Sequence, residues 1–273
     1  MANKLTTLMT IAGSDPMGGA GIQSDIRVGS RMGLHVCSAI TAITAQNSKG
    51  FTDLCPVAPN ILEAQIHAIV EDVIPDAIKI GMLGSVENMK VVSEALKKQR
   101  AKEIPVVIDP IFFSTIDEKC LVENGETLSL GKLYNDLLFP YATVITPNLQ
   151  ELNLILSNYT CSSDKIKDLR KNINCKNVIV TNYDSSEEKI SDYFFTEKDI
   201  FIEKHDKVSC LNLHGTGCCY STLLGVYLAL GYPIRDAFIS ATNEMSSIIE
   251  NSCYYRLGKS TYGPLNINNY LHK

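Results

Sequence analysis

Leu8-Met9-Thr10-Ile11-Ala12-Gly13-Ser14-Asp15-Pro16-Met17-Gly18-Gly19-Ala20-Gly21 is the stretch whose reading decides the fold. Its first five residues read as a short buried strand and its glycines as a tight turn. A helical pattern then runs from Ile22 to Met32, and Gly33 stops it. Strand, glycine-rich turn and helix in that order are the layout on which α/β proteins bind polar ligands. The turn is not a dinucleotide fingerprint, because Ser24 holds the third glycine position and no acid follows at the ribose-binding distance. Nor is there a P-loop. The nearest approach, Gly258-Lys259-Ser260, has Cys253 where the first glycine belongs and no strand ahead of it.

A second glycine turn, His214-Gly215-Thr216-Gly217-Cys218, stands at the head of an apolar helical run that closes at Gly231, with Pro233 beyond. The first N–H groups of a helix lack intrahelical partners and carry the positive end of its dipole, so this turn is an anion site suited to a phosphate. Cys218 falls in that first turn, where a thiol pKa is expected to be lowered and a thiolate becomes accessible.

Strand and helix patterns alternate outward from these turns. Strands are expected at 35–44, 77–80, 106–108, 143–145 and 178–180, with helices at about 60–73, from Ser85 to about Lys98, up to about Leu138, around Glu151, and at 218–230 and 234–250. Strands at 190–195 and 200–204 read as an antiparallel edge. Residues 111–130 have little periodicity and read as a long loop. Alternation of this kind predicts a mostly parallel central sheet with helices on both faces, and the absence of a linker makes residues 1–273 a single domain. The polar clusters at 13–21, Gln46, 81–84, Asp109, 146–151 and 214–218 all follow strands, where open sheets collect ligands.

A net charge of −5 without a basic run argues against nucleic acid as the main partner. Nine cysteines, odd in number and with no Cys-x-x-Cys pair, point to a reduced, cytoplasmic protein rather than a disulfide framework or zinc site. No apolar run approaches membrane-spanning length, and no membrane partner is expected.

Six motifs together resemble the hydroxymethylpyrimidine/phosphomethylpyrimidine kinases of thiamine biosynthesis, within the ribokinase-like superfamily. They are Ile11-Ala12-Gly13-Ser14-Asp15 with Gly18 to Asp25; Thr41 to Asn47; Lys79-Ile80-Gly81-Met82-Leu83; Val107-Ile108-Asp109-Pro110; Thr146-Pro147-Asn148-Leu149-Gln150-Glu151; and His214 to Cys218. The resemblance implies a three-layer ribokinase-like fold, ATP and Mg²⁺ as cofactors, a small-molecule substrate and a homodimer. It implies that Cys218 stands in place of a catalytic aspartate, as the base for a substrate hydroxymethyl group. The N–H groups of Gly215, Thr216, Gly217 and Cys218 would then hold the transferring phosphoryl group. Gln46, Asp25, Gly13, Met82 and Ile111 match substrate-contacting positions, and the Gln46 amide suits an aminopyrimidine edge. Asp109 and Glu151 match positions near Mg²⁺, directly or through water, and Asn148 and Thr181 fall on the nucleotide side. Asp15 and His214 either brace the loops or touch substrate.

The chain departs from the family in three places. Thr181-Asn182-Tyr183-Asp184 stands where Lys-Gly-Gly-His is usual, which removes a cation near the nucleotide phosphates; a threonine there resembles pyridoxal kinases. Phe112 and Phe113 lie in a segment without the usual Ser-Gly element, and Pro16-Met17 replaces small residues. A pyridoxal/pyridoxine kinase is therefore the rival enzyme, since those vitamers also carry a hydroxymethyl group on a flat heteroaromatic ring. A non-catalytic pyrimidine-binding protein is the alternative from another class, and the intact 214–218 turn argues against it. Residues 111–130 are expected to form a mobile lid with Phe112 and Phe113 as its apolar cover.

Overall fold

Period-two alternation in the central strands sorts the molecule into layers. In a computed structural model, which describes residues 4–99, 103–112, 122–123, 127–157, 159, 165–254, 257–259 and 263–268, the strands β1 (Thr7–Ser14), β2 (His35–Asn47), β3 (Gly50–Pro56), β4 (Ala77–Ile80) and β6 (Val106–Ile108) form one half of a nine-stranded sheet. Strands β8 (Val144–Ile145), β9 (Val178–Ser185), β10 (Lys189–Phe195) and β11 (Ile200–Asp206) form the other, in the order β11-β10-β9-β8-β6-β4-β1-β2-β3. The six strands from β9 to β2 run parallel, and β3, β10 and β11 add antiparallel edges. A separate two-stranded parallel pair joins β5 (Gly84–Ser85) to β7 (Val122–Glu123).

Met9, Ile11, Ile78, Ile80, Ile108 and Ile145 face one side of the sheet. There they meet α2 (Pro59–Asp72), α3 (Val86–Gln99), α4 (Thr127–Leu137), α5 (Leu149–Leu156) and α6 (Lys165–Asn172). Leu8, Ala77, Val107, Val144 and Ile179 face the other side, against α1 (Gly21–Arg31), α7 (Thr216–Ala229) and α8 (Ile234–Ser252). Two apolar cores separated by a sheet make the expected three-layer α/β fold. Helix α7 is buried along most of its length, from Cys218 to Val226 without a break.

Several elements differ from the sequence reading. Strand β3 was not expected: it pairs back on β2 as an edge hairpin, and its exposure is irregular, so it leaves no clean period. Helix α6 was also not expected. The segment 111–130 is not one loop, since β7 and the start of α4 fall inside it; residues 113–121 and 124–126 lie outside the described residues. Phe112 is fully buried, its ring edge-on to Tyr134 with centroids 5.1 Å apart, so it belongs to the core rather than to a cover. Phe113 lies outside the described residues. Near the C-terminus, Leu265 and Ile267 are buried in the second core, with Arg27 and Arg31 donating to their carbonyls.

Candidate active site

The two glycine turns form one wall because their backbones touch. Gly215, the N-cap of α7, has φ +88°, and a Cβ there would lie 1.9 Å from Gly19 O. Gly21 has φ +55°, and a Cβ there would lie 2.2 Å from Gly13 O. Only glycine fits either position. Asp15 braces the first turn: its carboxylate accepts from the N–H groups of Met17, Gly19 and Ala20 at 2.9–3.0 Å, and His214 Nε2 lies 3.0 Å away. Burial opposes its charge, but His214 and these N–H groups prevail and hold the carboxyl below its usual range. Asp15 and His214 thus lock the turns together while still bordering the cavity.

That cavity, of about 770 Å³, opens at the carboxyl ends of the parallel strands. Gly13, Gln46, Met82, Asp109, Ile111, Asn148, Glu151, Thr181 and the turn Gly215-Thr216-Gly217-Cys218 all line it. Gln46 Nε2 donates to Thr44 Oγ1 at 3.1 Å, and Thr44 Oγ1 donates to Ser14 O at 2.8 Å. The β2–β3 register shifts between Ala45 and Gln46; such irregularities redirect a side chain, and β3 is the element that creates it. Met82 lies over Gly13, where a Cβ would meet its Cε at 2.1 Å, and it joins Ala42, Phe51 and Ile111 in an apolar wall.

Opposite that wall, Asn148 and Glu151 make a capping box at the start of α5: Asn148 Oδ1 accepts from Glu151 N at 2.9 Å, and Glu151 Oε2 accepts from Asn148 N at 2.8 Å. Thr181 bridges to Asn148, with its N–H donating to Pro147 O at 3.3 Å. Asp109 accepts from Ser221 Oγ at 3.0 Å. Burial pushes its carboxyl up to about 6, against the pull of Lys79 and Ser221. Glu151 is held well above its usual value by burial and then by Asp109.

Two expectations fail, one on placement and one on burial. Asp25 is fully buried and does not line the cavity; its helix face turns it toward the sheet, where its carboxylate meets Thr10, Thr222 and Lys79. The Cys218 thiol is not lowered. Burial pushes it up to about 12, and Asp109 and Asp25 add to this against Lys79 and the Gly21 N–H, so position at a helix start does not decide its state here. Sequence reasoning gave no role to Lys79, Ser221 or Thr222. The available signal was a lysine inside the four-residue strand Ala77-Ile78-Lys79-Ile80, every residue of which is buried.

The donor set fits Mg²⁺. Two carboxylates whose ionisation is opposed by burial, that of Glu151 also by Asp109, invite a hard dication, which usually takes one or two carboxylates plus phosphate oxygens. Among the described residues no group of three or more His, Cys, Asp or Glu side chains forms an all-protein metal cage, in keeping with that mode. Among the described residues Thr146 Oγ1, buried on the cavity wall, has no hydrogen-bond partner. Among the described residues no helix is long and apolar enough to cross a membrane.

The profile of the phosphomethylpyrimidine kinase family matches residues 15–266. A phosphomethylpyrimidine kinase from Clostridium difficile 630 has 31% identity and a TM-score of 0.72, over 89% of this chain and 98% of that one. An ADP complex of Bacillus subtilis pyridoxal kinase has 26% identity and a TM-score of 0.82, over 96% of this chain and 97% of that one. A probable thiamine biosynthetic bifunctional enzyme, chloroplastic, from Oryza sativa subsp. japonica is 33% identical over 94% of this chain, which spans only 46% of that relative's length.

Proposed function

We propose that this chain, which belongs to the phosphomethylpyrimidine kinase family, transfers the γ-phosphoryl group of ATP to the hydroxymethyl group of 4-amino-5-hydroxymethyl-2-methylpyrimidine, and to its monophosphate in a second step. The observation that carries this reading is the sharing of one cavity by the Gly215–Cys218 turn and the Gln46–Met82 wall. A flat aminopyrimidine fits between Met82 and Ile111 with its amino edge at Gln46, which directs its hydroxymethyl group toward α7. The N–H groups of that helix start would take the charge of the phosphoryl group in flight.

In this reading Cys218 receives the hydroxyl proton. Burial holds its thiol protonated in the free protein, so it acts only after losing that proton to solvent, and the thiolate then accepts the hydroxyl proton as the bond to phosphorus forms. Mg²⁺ held by Asp109, Glu151 and the nucleotide phosphates would neutralise charge on the phosphoryl group and offset one of the carboxylates that hold the thiol up. Asn148 and Thr181 border the nucleotide. A cytoplasmic homodimer belongs to the same reading.

Phosphorylation of pyridoxal or pyridoxine is the second reading, and it is favoured by the likeness to the pyridoxal kinase fold and by Thr181 on β9. A coupled ADP-release assay with hydroxymethylpyrimidine, its monophosphate, pyridoxal and pyridoxine side by side tests both. The first reading requires the highest kcat/KM for hydroxymethylpyrimidine; a higher value for either B6 vitamer assigns the chain to the second.

A further inference from the structure

Lys79 is the only fully buried lysine or arginine among the described residues. Alternation along β4 turns it toward α1 and α7, and its Nζ lies 3.0 Å from both carboxylate oxygens of Asp25, which is equally buried. Stability does not explain such a pair, because apolar replacements of buried ion pairs are often neutral or stabilising. What the pair touches does. Asp25 Oδ1 lies 2.7 Å from Thr222 Oγ1, and the same hydroxyl lies 2.7 Å from Cys218 O, one turn back along α7. Beside it, Ser221 Oγ lies 2.9 Å from Gly217 O and 3.0 Å from Asp109 Oδ2. Two neighbouring hydroxyls therefore tie the carbonyls of the phosphate-facing turn to two buried carboxylates.

We propose that Lys79 and Asp25 are a positioning pair for the phosphoryl-transfer turn: the ammonium fixes the carboxylate, the carboxylate fixes the Thr222 hydroxyl, and Thr222 holds the Cys218 carbonyl, which aims the turn's N–H groups at the cavity. Neither Lys79 nor Asp25 lines that cavity, so neither touches substrate. The Thr222 hydroxyl has one proton for two acceptors. With Lys79 in place the Asp25 charge is shared and the Cys218 carbonyl keeps its partner. Without the ion pair no fixed carboxylate orients that hydroxyl, its rotamer is free to leave the Cys218 carbonyl, and the turn is released.

The inference rests on the kinase reading, and its test separates the two. Lys79→Met combined with Asp25→Asn replaces the pair with neutral groups of similar size, and Thr222→Val removes the link while leaving the pair intact. Turnover, binding of a non-hydrolysable ATP analogue, thermal unfolding and amide exchange at residues 216–219 are measured for each. The expected double variant unfolds at or above the native temperature, binds the analogue within about threefold, loses about a hundredfold in kcat and exchanges faster at the turn. Thr222→Val alone is expected to lose about as much, roughly a hundredfold, with no further loss in the double-variant background. Wild-type kcat and unchanged exchange in the double variant would overturn the proposal, as would a fully additive Thr222→Val. If the double variant does not fold, Thr222→Val decides alone: kcat within twofold and unchanged exchange sink the proposal. A wild-type protein inactive on all four substrates removes the kinase reading, while exchange at the turn still reports on the pair.

Discussion

The α7 wall and the β9 wall face each other across one cavity and are built by opposite means. Along α7, Gly215 fits against the Gly19 carbonyl with no room for a Cβ, and Ser221 and Thr222 tie the turn to buried carboxylates beneath. Along β9, residues 181–185 are half-buried or exposed. They are held by the antiparallel pairing of Asp184 and Ser185 with β10, a bond from Thr181 N to Pro147 O at 3.3 Å, a bond from Asn182 N to Asp192 and the tilted contact of Tyr183 with Tyr193 at 4.5 Å. On the proposed reading the chemistry belongs where the backbone has no alternative, and ligand preference where side chains can change without disturbing the core. Substitutions on the first wall should therefore act on kcat, and those on the second on nucleotide KM.

Gly215→Ala should break the contrast most severely. The added methyl meets Gly19 O in a left-handed conformation. A cost of about 3 kcal/mol in stability and more than about a hundredfold in turnover is expected, measurable by denaturant titration and steady-state kinetics.

Asp109→Asn sharpens the electrostatic half of the account. The Asp109 carboxyl is raised in the folded protein to about 6, so the stability this group contributes is fully present below about pH 4 and lost as pH rises through 6. The neutral variant should thus unfold at higher temperature than the native chain at pH 8, by up to ~3 kcal/mol, with little difference at pH 4. Turnover should fall about a hundredfold. At the proposed site Mg²⁺ must displace a proton from Asp109 below about pH 6, so its half-saturating concentration should rise about tenfold per unit there; a flat dependence would remove Asp109 from the metal.

Gln46→Ala should weaken pyrimidine binding by about 1–3 kcal/mol and ATP binding hardly at all. Equal losses for both ligands in titration calorimetry would take Gln46 out of the pyrimidine subsite. Smallest of all, Asp184→Ala on the exposed part of β9 should change stability by less than about 0.5 kcal/mol and leave kcat unaltered, with any effect confined to the KM for ATP. A kcat loss there as large as on α7 would erase the distinction between the walls.

Nearly every cavity wall was legible in the sequence, because a glycine turn or a strand-ending polar residue is a local signal. Gly13, Gln46, Met82, Asp109, Asn148, Glu151 and residues 215–218 converge as their motifs suggested. What escaped was non-local. Asp25 lies in a motif that borders the site, yet helix phase turns it toward Lys79 on another element. The Cys218 thiol reads as activated from its own turn, while burial holds it up first, helped by Asp109 just after β6 and Asp25 on α1. Strand β3, which shifts the register at Gln46, has no apolar period because it is a sheet edge, and the buried residues 265–267 sit in a polar tail.

The central claim is that phosphoryl transfer to a hydroxymethyl group happens at the Cys218 turn. Phosphorylation of hydroxymethylpyrimidine by the native chain and by Cys218→Ala, with ATP affinity measured on the same samples, tests it most directly. The account predicts turnover lowered about a hundredfold or more and ATP binding within about threefold of native. Native turnover in Cys218→Ala, or a loss explained entirely by weaker ATP binding, would contradict it.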